Sequence, residues 1–138
     1  MPCLDTNLLI DLLHREPAAV EKIKSLQEKG LRLKTTTINA CELYQGVYRS
    51  DRLGKKAWAV ETLLANMDTL DITLTVAKKA ASLMTELQNE GRTISEMDVF
   101  IAATAITNGP VNGWRFWECR LPGKASWQLI TGLRYSRP

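Results

Sequence analysis

Apolar positions recur along the chain in two alternating periods, and together they predict six helices interleaved with three short strands. Residues 2–5 read as a first buried strand. Leu8, Leu9, Leu12 and Leu13 then mark one face of a helix over residues 6–14. The break at Glu16-Pro17 opens a second helix, because proline is tolerated in a first turn; Ala19, Val20, Ile23 and Leu26 point inward and Gly30 closes it. Leu31, Leu33 and Thr35 alternate as a second strand.

A third helix, capped by Thr36 or Thr37, reaches about residue 50. A fourth, over residues 53–67, is amphipathic through Ala57, Val60, Leu63 and Leu64. Residues 67–72 form a third strand, and Thr73 or Thr75 opens a long helix whose inward residues are Val76, Ala80, Leu83, Met84 and Leu87. The last helix, residues 96–108, is capped by Ser95, closed by Gly109-Pro110, and apolar almost all round from Val99 to Ile106, so it is expected to be buried. Strands alternating with helices predict an α/β fold with a mostly parallel sheet.

The 138 residues make one domain, 45% apolar and 24% charged, which reads as globular and soluble. No stretch approaches a membrane span, and Asp5 and Asp11 interrupt what would otherwise pass for a secretory leader. The three cysteines, Cys3, Cys41 and Cys119, are odd in number and widely spaced; they suit a reducing cytoplasm and supply no zinc site. The net charge of +3 arises from residues 110–138, which carry five basic residues and one acid. The rest of the chain is slightly acidic, so overall charge says little about nucleic-acid binding.

The chemistry on offer is carboxylate chemistry. Asp5 stands at the carboxyl end of the first strand, the rim where open α/β sheets bind ligands; helix capping alone would also account for an Asp there. Glu42 lies on a helix row with Ile38 and Gly46, flanked by Cys41, Tyr44 and Tyr48 on one side and Leu43 and Val47 on the other. A carboxylate so surrounded needs a partner, either a cation or a salt bridge to Arg49 or Lys34. Asp98 falls at the third position of the buried helix, where the dipole favours the ionised form; a partial capping box is its structural alternative. Three acids converging on one sheet edge suit Mg2+ or Mn2+, which lower the pKa of a bound water for in-line attack on a phosphodiester.

The only histidine, His14, reads as a surface residue. Arg49, Arg52, Lys55 and Lys56 form a basic run that suits RNA phosphate or a solvated helix face equally.

With these residues in place the chain resembles the PIN-domain proteins, specifically the VapC-type toxin ribonucleases of toxin–antitoxin pairs. The matching motifs are LDTNLLIDLL (4–13), INACELYQGV (38–47) and ISEMDVFIAATAITNG (94–109). The resemblance implies a three-layer α/β/α fold with a central parallel sheet, Mg2+- or Mn2+-dependent endoribonuclease activity, homodimerisation and inhibition by a cognate antitoxin. It carries Asp5, Glu42 and Asp98 over as metal ligands, with Thr6 and Asn7 shaping the site.

After Gly109 the sequence departs from that pattern. The expected turn bearing a fourth acid is absent; Glu118 lies at about the right distance, but amid Trp114, Phe116, Trp117 and Trp127. Trp114-Arg-Phe-Trp117 can be encoded TGG CGA TTT TGG, which one base later reads Gly-Asp-Phe, so an out-of-frame tail is one account of residues 110–138. A lineage-specific tail whose aromatics serve a core or dimer contact is the other. The departure leaves a second expectation for function: a PIN-fold protein of impaired catalysis that acts through its dimer or antitoxin surface.

Overall fold

The turn at Thr36 decides where the chain stops being a strand, and the rest of the fold is placed by it. A computed structural model describes residues 3–108. The expectations for residues 109–138, Glu118 and the clustered tryptophans among them, lie outside the described residues. In chain order the elements are α1 (Thr6–Leu13), α2 (Pro17–Glu28), β1 (Lys34–Thr36), α3 (Thr37–Tyr48), α4 (Leu53–Ala65), β2 (Asp68–Leu70), α5 (Leu74–Asn89) and α6 (Glu96–Asn108). All six expected helices are present.

Among the described residues the sheet is parallel, as expected, and its strands are shorter. β1 pairs with β2 through Lys34–Asp68, Thr35–Thr69 and Thr36–Leu70. Among the described residues the expected first strand shows one parallel bridge, between Cys3 and Lys34, with the Leu4 amide donating to the Lys34 carbonyl at 2.7 Å. The next rung of that ladder would run from the Thr36 amide to the Leu4 carbonyl. Instead the Thr36 amide donates to Asn39 Oδ1 (3.3 Å) as α3 begins, and the Leu4 carbonyl accepts the Thr35 hydroxyl (3.1 Å). Backbone groups must all be satisfied, and here capping the helix takes precedence over extending the sheet.

Helices α1 to α4 enclose one apolar core built on Leu4, Leu8, Leu9, Ile23, Leu43, Val47 and Val60. A second lies between α5 and α6, around Val76, Ala80, Leu83, Leu87, Val99 and Ala103. A small third cluster sets Ile101 and Ala102 of α6 against Ile38 of α3. α6 is buried along most of its length, as its uninterrupted apolar run predicts. Val20, expected inward on α2, is 43% exposed, because Ala19, Ile23 and Leu26 already fill the stripe facing the core.

Helix ends follow the sequence. Thr36 and Thr73 are the caps of α3 and α5, each hydroxyl accepting the amide three residues on. Gly30 and Gly91 sit at positive φ beyond α2 and α5 and close them with the same paired bonds: the Gly30 and Leu31 amides reach the Gln27 and Leu26 carbonyls, and the Gly91 and Arg92 amides reach Gln88 and Leu87. Among the described residues no helix is long and apolar enough to cross a membrane.

Candidate functional site

Asp5 stands at the N-cap of α1, with extended backbone at φ −79° and ψ 156°. An aspartate there normally turns its carboxylate onto the free amides of the first turn. This one does not: α1 has no side-chain cap bond. The residue is 7% exposed, and Oδ2 is buried without a hydrogen-bond partner. Capping therefore does not account for Asp5. A buried carboxylate oxygen with no donor is costly, and a cation is the kind of group that offsets that cost.

Beside it, Thr6 is buried and Asn7 half-buried. The Thr6 hydroxyl accepts from Asn39 Nδ2 at 2.8 Å. Asn39 is fully buried at the third position of α3, where its side chain and Thr36 cap one another reciprocally. The Thr36 hydroxyl donates to Asn39 Oδ1 at 2.7 Å and accepts the Asn39 amide at 3.1 Å. Asn39 was not singled out by the sequence reading. Its signal was the spacing Thr36-x-x-Asn39, a capping box with asparagine in the usual Glu/Gln place.

Glu42 is half-buried, three residues beyond Asn39. The apolar flanks expected for it hold fully on one side and on the other only at Tyr44, which packs on the core. Leu43 and Val47 are in the core, but Cys41 is exposed and Tyr48 is 69% exposed, so Glu42 borders the outer face of α3. Asp98 is half-buried in the first turn of α6. α6 is held to α3 where Ile38 packs on the cluster of Ile101 and Ala102, three and four residues beyond Asp98. The three acids thus stand on elements joined pairwise, α1 to α3 through Thr6 and Asn39, and α3 to α6 through Ile38 and that cluster. Among the described residues, no three His, Cys, Asp or Glu side chains form a group close enough to hold a metal.

Arg49, Arg52, Lys55 and Lys56 are all exposed around the α3–α4 junction, and His14 is exposed at the end of α1. Tyr44 and Tyr48 hold their rings 6.0 Å apart, tilted by 32°. Burial raises the Tyr44 phenol above its ordinary value of 10.0, with the Glu61 carboxylate and Tyr48 adding to the effect.

The PIN domain model matches residues 3–110, ending where the sequence leaves the family's pattern. Ribonuclease VapC2 of Haemophilus influenzae (strain ATCC 51907 / DSM 11121 / KW20 / Rd) is 28% identical over 106 residues, 77% of this chain and 79% of that one. The tRNA(fMet)-specific endonuclease VapC of Shigella flexneri is 26% identical over the same length and the same shares. In three dimensions the chain is similar to DNA-bound VapBC from Salmonella typhimurium, with a TM-score of 0.70 and 25% identity over 78% of this chain and 80% of that one. The motifs around Asp5, Glu42 and Asp98 all lie inside the matched span, and the chain belongs to the PIN domain family and resembles its VapC members.

Proposed function

We propose that the protein is an endoribonuclease, the toxin of a type II toxin–antitoxin pair, which hydrolyses RNA phosphodiesters with Mg2+ or Mn2+ held by Asp5, Glu42 and Asp98. One observation carries the reading: Asp5 is a buried N-cap aspartate that leaves its helix uncapped and one carboxylate oxygen without a donor. Oxygen-only ligands of this kind suit a hard divalent cation. When bound, that cation supplies the activation of water for in-line attack and offsets charge on the leaving oxygen.

The remaining work falls to the chain itself. Thr6 and Asn7 fix the first turn of α1 beside Asp5. Asp98 stands in the first turn of α6, where the helix dipole favours a carboxylate. Arg49, Arg52 and Lys55 offer exposed cations for RNA phosphate. The relatives supply the partner class: VapBC names a toxin with its antitoxin, and an antitoxin together with a second copy of the chain are the proposed partners. Tyr48, Leu53, Trp58 and Leu74, apolar side chains between 49% and 73% exposed, support such partnering.

The test is cleavage of RNA in Mg2+ or Mn2+, with a chelator as control. Wild type should cut, and Asp5→Asn, Glu42→Gln and Asp98→Asn should each lose at least a hundredfold. Wild-type activity that survives chelation would sink the metal reading.

The sequence after Gly109 favours a second reading, a PIN fold that binds its antitoxin and cuts nothing. Calorimetric Mn2+ titration separates the two. If wild type binds and Glu118→Gln does not, the tail has rebuilt the fourth ligand. Binding to antitoxin with no Mn2+ uptake at millimolar metal would establish the non-catalytic reading. Sequencing the gene decides the origin of the tail, since an Arg115 codon ending in T, C or G would exclude the shifted-frame account given above.

A further inference from the structure

Asn39 does more than a helix cap requires. For the capping box, an acceptor at this position is enough, and Asn39 Oδ1 supplies it by receiving both the hydroxyl and the amide of Thr36. A glutamate or aspartate would serve equally well. The amide brings in addition a donor, and Nδ2 spends it on a residue 33 positions earlier, the Thr6 hydroxyl on α1. Every side-chain polar atom of Asn39 is thereby engaged in a fully buried setting. The bond joins two backbone positions of consequence: Thr6 is the immediate neighbour of Asp5, and Asn39 lies on the same helix face as Glu42, three residues away.

We propose that Asn39 is a positioning residue of the acid site. By tethering Thr6 it fixes the first turn of α1 so that the Asp5 carboxylate is held off the free helix amides and kept available to a cation. By its place in α3 it ties the helix that carries Glu42 to the helix that follows Asp5. The inference rests on the reading of Asp5, Glu42 and Asp98 as cation ligands. Partners one step removed from a metal commonly govern affinity by about 10–100-fold.

The experiment is Mn2+ binding to the full chain, followed by the paramagnetic signal of free Mn2+, with the thermal midpoint of each metal-free variant recorded alongside. Thr6→Val removes the acceptor and leaves the Thr36–Asn39 box whole; it should weaken Mn2+ by about 10–100-fold. Thr6→Ser restores the hydroxyl and should bind as wild type, which a purely steric role for Thr6 would not give. If Thr6→Val does not fold, the smaller Thr6→Ala replaces it: the hydroxyl is lost and the Thr36–Asn39 box again stays whole. Wild-type Mn2+ affinity in Thr6→Val or Thr6→Ala, with binding abolished in Asp5→Asn, overturns the proposal alone. Unchanged binding in Asp5→Asn overturns the underlying acid site as well, so the two failures are told apart.

Discussion

The Thr35 hydroxyl donates to the Leu4 carbonyl at 3.1 Å, standing in for the ladder bond that the Thr36 amide has given up to Asn39. The substitution of one donor for another lets the first segment end at Leu4 and α1 begin at Thr6, with Asp5 between them at the sheet edge. Thr35 is fully buried. Thr35→Val keeps the shape and leaves the Leu4 carbonyl without that donor, which should cost about 1–3 kcal/mol. Urea unfolding should show a lower midpoint at an unchanged slope, and Thr35→Ser should recover most of the loss.

Asp5→Asn should separate stability from chemistry. Removing a carboxylate whose buried Oδ2 lacks a donor relieves a penalty of about 1–3 kcal/mol, so the metal-free variant should melt above metal-free wild type. Mn2+ should then stabilise wild type by about 2.7 kcal/mol at a hundredfold excess over its dissociation constant and leave Asp5→Asn unmoved. A wild-type melting point indifferent to Mn2+ would count against the acid site.

The six helices were legible because each carries its own period and its own ends: Pro17 opens one, Thr36 and Thr73 cap two, and Gly30 and Gly91 close two. The candidate acids and the family were legible too, through three spaced motifs. The strand lengths were not, since they depend on which partner the Thr36 amide selects, a choice made by a side chain on the next helix. The setting of Glu42 was misread on one flank because apolar identity does not entail burial: Cys41 and Tyr48 face outward. Asn39 escaped notice because its partner Thr6 is distant in sequence, and no local pattern records such a bond.

Alkaline pH gives a further check through Tyr44. Its phenol is raised above 10.0, first by burial and then by Glu61 and Tyr48, so the folded state holds its proton more tightly than the unfolded chain does. The resulting stability is fully present below pH 10 and is lost as pH rises through the folded value. Glu61→Gln should bring the Tyr44 tyrosinate transition, followed by ultraviolet absorbance, back toward 10.0. An unmoved transition would show that Glu61 contributes nothing and leave burial and Tyr48 as the causes.

Arg15 adopts φ 56°, the one described non-glycine residue at positive φ. It occupies at the end of α1 the place that Gly30 and Gly91 hold beyond α2 and α5. The bonding is the same, with the Arg15 amide on the Leu12 carbonyl at 3.0 Å and the Glu16 amide on the Asp11 carbonyl at 2.9 Å. An L side chain in this region costs about 1–2 kcal/mol, and glycine avoids that strain at the expense of a more mobile unfolded chain. Arg15→Gly should therefore stabilise the protein by about 1 kcal/mol in urea titration. Arg15→Ala retains the Cβ and should gain nothing, which distinguishes relief of backbone strain from loss of the exposed charge. Equal stabilisation by both variants would assign the effect to the guanidinium instead.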